Sequence, residues 1–278
     1  MRGWHRRGIM ALGMALGLAA GTAAAQDAEL AASSALEQIK QRGTLKVGVS
    51  PTLPPGAMRS KDGEVIGFEA DVATRLAEDM GVEVEFVPTV WDGLIPGLLS
   101  GTFDVVISVM SMTPARNLTI NFTDSYSGTG MFMAANKEVA AGLASAEDFN
   151  SADVTLATMR GSTTTTVAQR MMPKATIRQF EDEALMVQEV VNGRAHAFLA
   201  SAPRPGFEVL ANPEKLFLPL EEPLVRSAEA MAVRKGDPDF LNFLNNWIFL
   251  RQRDGWLEQR HAYWFDTRDW ADQVALQQ

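Results

Sequence analysis

The chain has 278 residues and no cysteine, which removes disulfides, thiolate metal sites, cysteine nucleophiles and a lipid-anchored cysteine together. Histidine is nearly as scarce. His5, His196 and His261 are widely separated and form no local metal motif, which argues against catalytic zinc. No Gly-Lys-Ser/Thr follows a suitable glycine spacing, so a phosphate-binding P-loop is excluded. No Ser-His-Asp set stands out, and after Gln26 no apolar run is long enough to cross a membrane.

What is present suits an ordered globular protein, with 46% hydrophobic and 21% charged residues. Residues 1–25 read as a cleavable export signal. Arg2, Arg6 and Arg7 precede the apolar stretch Ile9–Ala20, and Ala23-Ala24-Ala25 offers the small residues a signal peptidase accepts. Removal of the signal leaves 22 basic against 34 acidic side chains, a net charge of −12. That sign argues against nucleic acid or anionic membranes as partners, but not against a small anion held by local donors. The expected product is a soluble protein of the periplasm.

Periodicity gives an alternation of strands and helices. Residues 26–43 read as a linker and a short helix, Leu45–Val49 as a strand, and Phe68–Met80 as a helix stopped by Gly81. Val82–Phe86 alternates as a strand. Trp91-Asp92 opens a helix with Asp92 as its cap, and Phe103–Val109 is an apolar strand. The pattern then recurs, with strands at Val154–Ala157, Thr176–Phe180 and Ala197–Ala200, and helices at Thr163–Met172 and Glu183–Asn192. A further helix is expected over Pro238–Arg251. Two such units predict an α/β fold of two lobes, each a mostly parallel sheet flanked by helices.

Five blocks carry a resemblance: Gly43-Thr44-Leu45-Lys46-Val47-Gly48, Gly67-Phe68-Glu69-Ala70-Asp71, Trp91-Asp92-Gly93-Leu94-Ile95-Pro96, Ser100-Gly101-Thr102-Phe103-Asp104-Val105, and Met112-Thr113-Pro114-Ala115-Arg116 with Phe122-Thr123-Asp124-Ser125-Tyr126. In this order and spacing the chain resembles the periplasmic solute-binding proteins, family 3, that serve polar amino-acid ABC importers. The resemblance implies a type II periplasmic-binding fold, with residues 44–129 and 230–270 in one lobe, 130–229 in the other, and a tail at 271–278. It also implies no cofactor, no catalysis, permease subunits of an ABC importer as partners, and a monomer.

Ligands of open α/β sheets bind beyond the carboxyl ends of the strands. Ser108, Ser111 and Thr113 follow such a strand, and Arg116 is placed to clamp a carboxylate in bidentate fashion. By resemblance, Arg116 grips the ligand's α-carboxylate. Ser162 and Thr163 begin a helix whose N–H groups form a second anion site, and Trp91 packs on the ligand's side chain.

The departures bear on the ligand. The family's aspartate for the α-ammonium is matched by Ser201, its polar anchor after the first strand by Ser50, and its aromatic lid by Leu53. Arg204, close to Ser201, adds positive charge, which with Arg116 points to a ligand with two anionic groups or a carboxylate lacking an amine; Glu181, Asp182 or Glu183 are alternatives for holding an ammonium. The solute is therefore a small carboxylate-bearing compound. Two other readings are a cyclohexadienyl-dehydratase-like enzyme, whose acid is matched here by Arg204, and a docking sensor subunit for a membrane receptor.

Overall fold

The structure, a computed structural model, describes residues 34–274; the export signal and the linker before Ser34 lie outside them. Helix α1 (Ala35–Arg42) ends at Gly43, whose φ of 73° supplies the left-handed cap that a Cβ would oppose. Strand β1 (Thr44–Val49) leads to a short hairpin of β2 (Met58–Arg59) and β3 (Val65–Ile66). Helix α2 (Phe68–Met80) ends at Gly81 as expected, and β4 (Glu83–Pro88) pairs parallel with β1.

Two details depart from the sequence reading. Asp92 caps nothing: Trp91–Gly93 is a 3₁₀ turn, and helix α3 (Leu94–Leu99) starts after it. The apolar run Phe103–Val109 contributes only β5 (Val105–Val106) to the ladder, and the Phe103 ring packs over Gly48 and Gly97. A Cβ on those glycines would come within 2.4 and 2.7 Å of that ring, so only glycine admits it. Val109 is also driven to φ 50°, outside strand geometry.

Helix α4 (Pro114–Asn117) and β6 (Asn121–Phe122) complete this half. The chain then builds a second sheet from β7 (Gly130–Asn136), β8 (Thr155–Met159), β9 (Thr176–Phe180), β10 (Ala197–Ser201), β11 (Leu216–Phe217) and β12 (Val225–Arg226). Helices α5 (Thr163–Met171), α6 (Glu183–Val191) and α7 (Arg204–Ala211) flank it. Strand β13 (Ala232–Val233) enters the first sheet between β5 and β6, giving the order β4-β1-β5-β13-β6. Helices α8 (Pro238–Arg253) and α9 (Trp256–Phe265) then cover that sheet.

Each sheet is buried on both faces, and alternate residues divide between them. Val105 and Met231 join Leu45, Phe68, Leu244 and Trp264 on one side of the first sheet, while Val106 and Ala232 join Trp91, Leu94 and Phe103 on the other. In the second sheet Leu199 and Phe198 divide in the same way. Trp264 and Trp270 are core residues of the first lobe, and Val274 packs against them. Two adjacent segments link the sheets, joined by Ser227 N–H to Thr129 O at 2.8 Å and Glu229 N–H to Ser127 O at 2.9 Å. Among the described residues no helix is long and apolar enough to cross a membrane.

Candidate functional site

The carboxyl ends of β1, β8 and β10, together with the loops after them, meet across a cleft between the lobes. It is lined from the first lobe by Leu53–Gly56, Trp91, Val109 and Ser111, and from the second by Met159, Ser162–Thr164, Glu183, Ser201 and Arg204. The cleft is narrow, with about 60 Å³ open to the centres of water molecules, room for a few of them. A groove of about 550 Å³ on the outer face of the first lobe, between α1 and α8, holds none of the residues singled out from the sequence.

Seven of the eleven singled-out residues line the cleft: Leu53, Trp91, Ser111, Ser162, Thr163, Ser201 and Arg204. Ser50 and Ser108 lie beneath it, buried and bonded to each other through Ser50 N–H to Ser108 Oγ at 2.9 Å. Thr113 is the N-cap of α4 and accepts from Arg116 N–H at 3.2 Å. These three brace the first wall of the cleft.

Arg116 spans the cleft mouth. Its Nη1 donates to Ser111 O at 2.8 Å in its own lobe, and its Nη2 donates to Gly161 O at 3.1 Å in the other. Its guanidinium lies 5.5 Å from the Trp91 ring centroid, within cation–π range. Burial pulls its pKa down to about 10, so it stays cationic at neutral pH. Among the described residues it has no carboxylate partner within 4 Å.

Opposite Arg116, helix α5 begins at Ser162. The Ser162 hydroxyl does not cap the helix; it donates to Met159 O at 2.7 Å and pairs with Thr164 Oγ1 at 2.5 Å. The first-turn N–H groups of α5 are thus left without a side-chain cap from Ser162 at the cleft wall, and unsatisfied N–H groups at a helix start favour an anion.

Arg204 does not serve as a second free cation. Its side chain is 15% exposed, with Nη2 2.8 Å from Glu208 Oε1 and Nε 3.7 Å from Glu183 Oε2. Glu208 alone already offsets this guanidinium, which removes the reason to expect a doubly anionic ligand.

Glu183, at the start of α6, is a principal residue here, and the sequence offered it only as one of three neighbouring acids. It is 7% exposed, and burial pushes its carboxyl up to about 7 although Arg204 pulls the other way. Below the cleft floor, a second acidic cluster joins Glu69, Tyr126 and Glu229. The Tyr126 hydroxyl donates to Glu69, whose carboxyl burial pushes up to about 8.

The profile of the bacterial extracellular solute-binding proteins, family 3, matches residues 45–267. The L-cystine-binding protein TcyJ of Escherichia coli (strain K12) is 28% identical over 235 residues, 84% of this chain and 87% of that one. Cyclohexadienyl dehydratase of Pseudomonas aeruginosa is 26% identical over 238 residues, 86% of this chain and 88% of the enzyme. The crystal structure of the ancestral amino acid-binding protein AncCDT-1, a precursor of cyclohexadienyl dehydratase, matches with a TM-score of 0.77 at 39% identity, over 84% of this chain and 100% of that one. The two lobes and their mixed sheets share the type II periplasmic-binding fold of these structures. With more than half its length matched, the chain belongs to the bacterial extracellular solute-binding proteins, family 3.

Proposed function

We propose that this protein captures an amino acid outside the cytoplasm and hands it to the permease subunits of an ABC importer, acting as a monomer. Residues 44–129 and 230–270 form one lobe and 130–229 the other; the solute's α-carboxylate bridges them, between Arg116 and the start of α5 at Ser162 and Thr163. The observation that carries this reading is Arg116, a cation without a carboxylate partner that reaches from one lobe to a carbonyl of the other. A carboxylate accepts charge-assisted bonds from such a fork more strongly than backbone carbonyls do. The solute enters as the lobes part and is held as they close, with closure stabilised by contacts to both.

Calorimetry on residues 26–278 with a panel of amino acids tests this. One class should bind with a 1:1 stoichiometry, and Arg116→Ala should lose at least a hundredfold in affinity while melting as a folded protein. Unchanged affinity in that variant would overturn the assignment.

Glu183 gives the dehydratase reading one specific support, a cleft carboxyl that holds its proton near neutral pH. Its neighbour Arg204 favours the ionised form, however, and suits it to be a counter-ion. Incubation with a cyclohexadienyl carboxylic acid, followed by ultraviolet absorbance, should show no aromatic product above the uncatalysed rate.

A further inference from the structure

A binding cleft that takes a zwitterion must desolvate an ammonium as well as a carboxylate, and a buried ammonium without an anionic partner is costly. Ser201, where an acid would be expected, supplies only a hydroxyl.

Glu183 has what Ser201 lacks. Asp182 already caps α6, its Oδ1 accepting from Ala184 N–H at 2.8 Å and Leu185 N–H at 3.1 Å, so Glu183 is not needed there. Its side chain is 9% exposed, it lines the same cleft wall as Ser201, and its Oε2 accepts no hydrogen bond. Arg204 Nε, 3.7 Å away, donates to nothing, because that separation is too long for a hydrogen bond. The guanidinium is engaged by Glu208 instead. A buried carboxylate oxygen with open lone pairs thus belongs to a cleft whose mouth is spanned by Arg116, a cation with no carboxylate partner.

Resting on the capture reading above, we infer that Glu183 holds the ligand's α-ammonium in place of Ser201, and that the solute is a zwitterionic amino acid with an uncharged, apolar side chain. Charge supports both parts. Arg116 matches the α-carboxylate and Glu183 the ammonium, while Glu208 neutralises Arg204. The remaining wall is apolar, with Leu53, Pro54, Val109, Met159, Leu199 and Phe265, and has no acid for a cationic side chain.

Calorimetry at pH 7.5 with L-leucine, its amine-free analogue 2-oxo-4-methylpentanoate, and L-lysine tests this. The wild-type protein should bind L-leucine roughly a hundredfold more tightly than the oxo acid, and L-lysine more weakly than L-leucine. Glu183→Gln should bring L-leucine to within about tenfold of the oxo acid, whose own affinity should change by less than about threefold. Glu183→Gln combined with Ser201→Asp should restore much of the preference, showing that the single variant is folded. Retained discrimination in Glu183→Gln, or equal binding of both ligands by the wild type, would overturn the inference. The capture reading is separable: it fails if no compound of the panel binds or if Arg116→Ala binds normally, and it survives if the oxo acid binds best in an Arg116-dependent way.

Discussion

Glu69 offers a test of how burial controls stability. Its carboxyl is 1% exposed, takes the Tyr126 hydroxyl as donor, and faces the carboxyl of Glu229. Burial raises it from 4.5 to about 8, so the native state keeps a proton there that the unfolded chain gives up. Between those two values the unfolded state binds fewer protons, and stability falls as pH rises, by about 1.4 kcal/mol per pH unit for this group. From pH 5.5 to 7.5 the loss attributable to Glu69 is about 3 kcal/mol, or roughly 6–12 °C in melting temperature for a chain of this size. Glu69→Gln keeps the shape and stays neutral, so its melting temperature should decline less over that range. Glu183 and Glu229 are shifted in the same direction but are present in both proteins, so comparing the two removes their share. The assay is thermal unfolding of both at pH 5.5, 6.5 and 7.5, with far-ultraviolet dichroism as a check of the fold. Parallel curves would refute the reasoning, because they would mean that Glu69 is ionised in the native protein.

Phe103 fills the space left by two glycines, and Phe103→Ala should cost about 3–5 kcal/mol in urea unfolding; a loss under 1 kcal/mol would show that the site collapses around the smaller residue. Arg204→Met leaves Glu208 without its ion-pair partner and removes the cation nearest Glu183, and should destabilise by about 3–5 kcal/mol at pH 8, less at pH 5 where the Glu183 carboxyl holds its proton. An equal loss at the two pH values would exclude a charge origin. Gly161 sits at φ 69° with Asp92 Cβ 3.3 Å from where its own Cβ would stand, across the cleft. Gly161→Ala should therefore weaken closure and raise the radius of gyration in solution scattering; an unchanged radius would show that the lobes meet elsewhere.

Much of the fold could be read from the sequence where local chemistry decides it. Gly81 stops α2 because a left-handed cap favours glycine, and Thr176–Phe180 emerged with the bounds its pattern indicates. Elements set by tertiary contacts were harder to read. Helix α7 begins within Pro203-Arg204-Pro205-Gly206, residues that locally signal a turn, and β7 is a nearly continuous apolar run without alternation. Phe103–Val109 has strand composition, yet only Val105–Val106 join the ladder, and the contact of the Phe103 ring with Gly48, far away in sequence, could not be read. The Arg116 wall was legible because its residues are neighbours in sequence. The pairing of Arg204 with Glu183 and Glu208 was not, because it depends on how α6 and α7 pack, and a first-turn glutamate ordinarily reads as a partner for its own helix dipole.

If Arg116 holds the solute as proposed, the two carbonyls it now binds would compete with that solute. Ser111 O, in the same lobe, and Gly161 O, which meets Arg116 only when the lobes are together, occupy donors that a carboxylate would use on the proposed reading. A protein that spends about nine-tenths of its ligand-free time in this self-occupied state binds about tenfold more weakly than its contacts alone would give, a difference of about 1.4 kcal/mol. The same bonds would assist discharge, since a departing carboxylate would leave behind a cation with substitute acceptors already in place. On that reading, trimming this self-competition would sharpen uptake from dilute solution and slow release, and the affinity would be set in part by what the arginine does when nothing is bound.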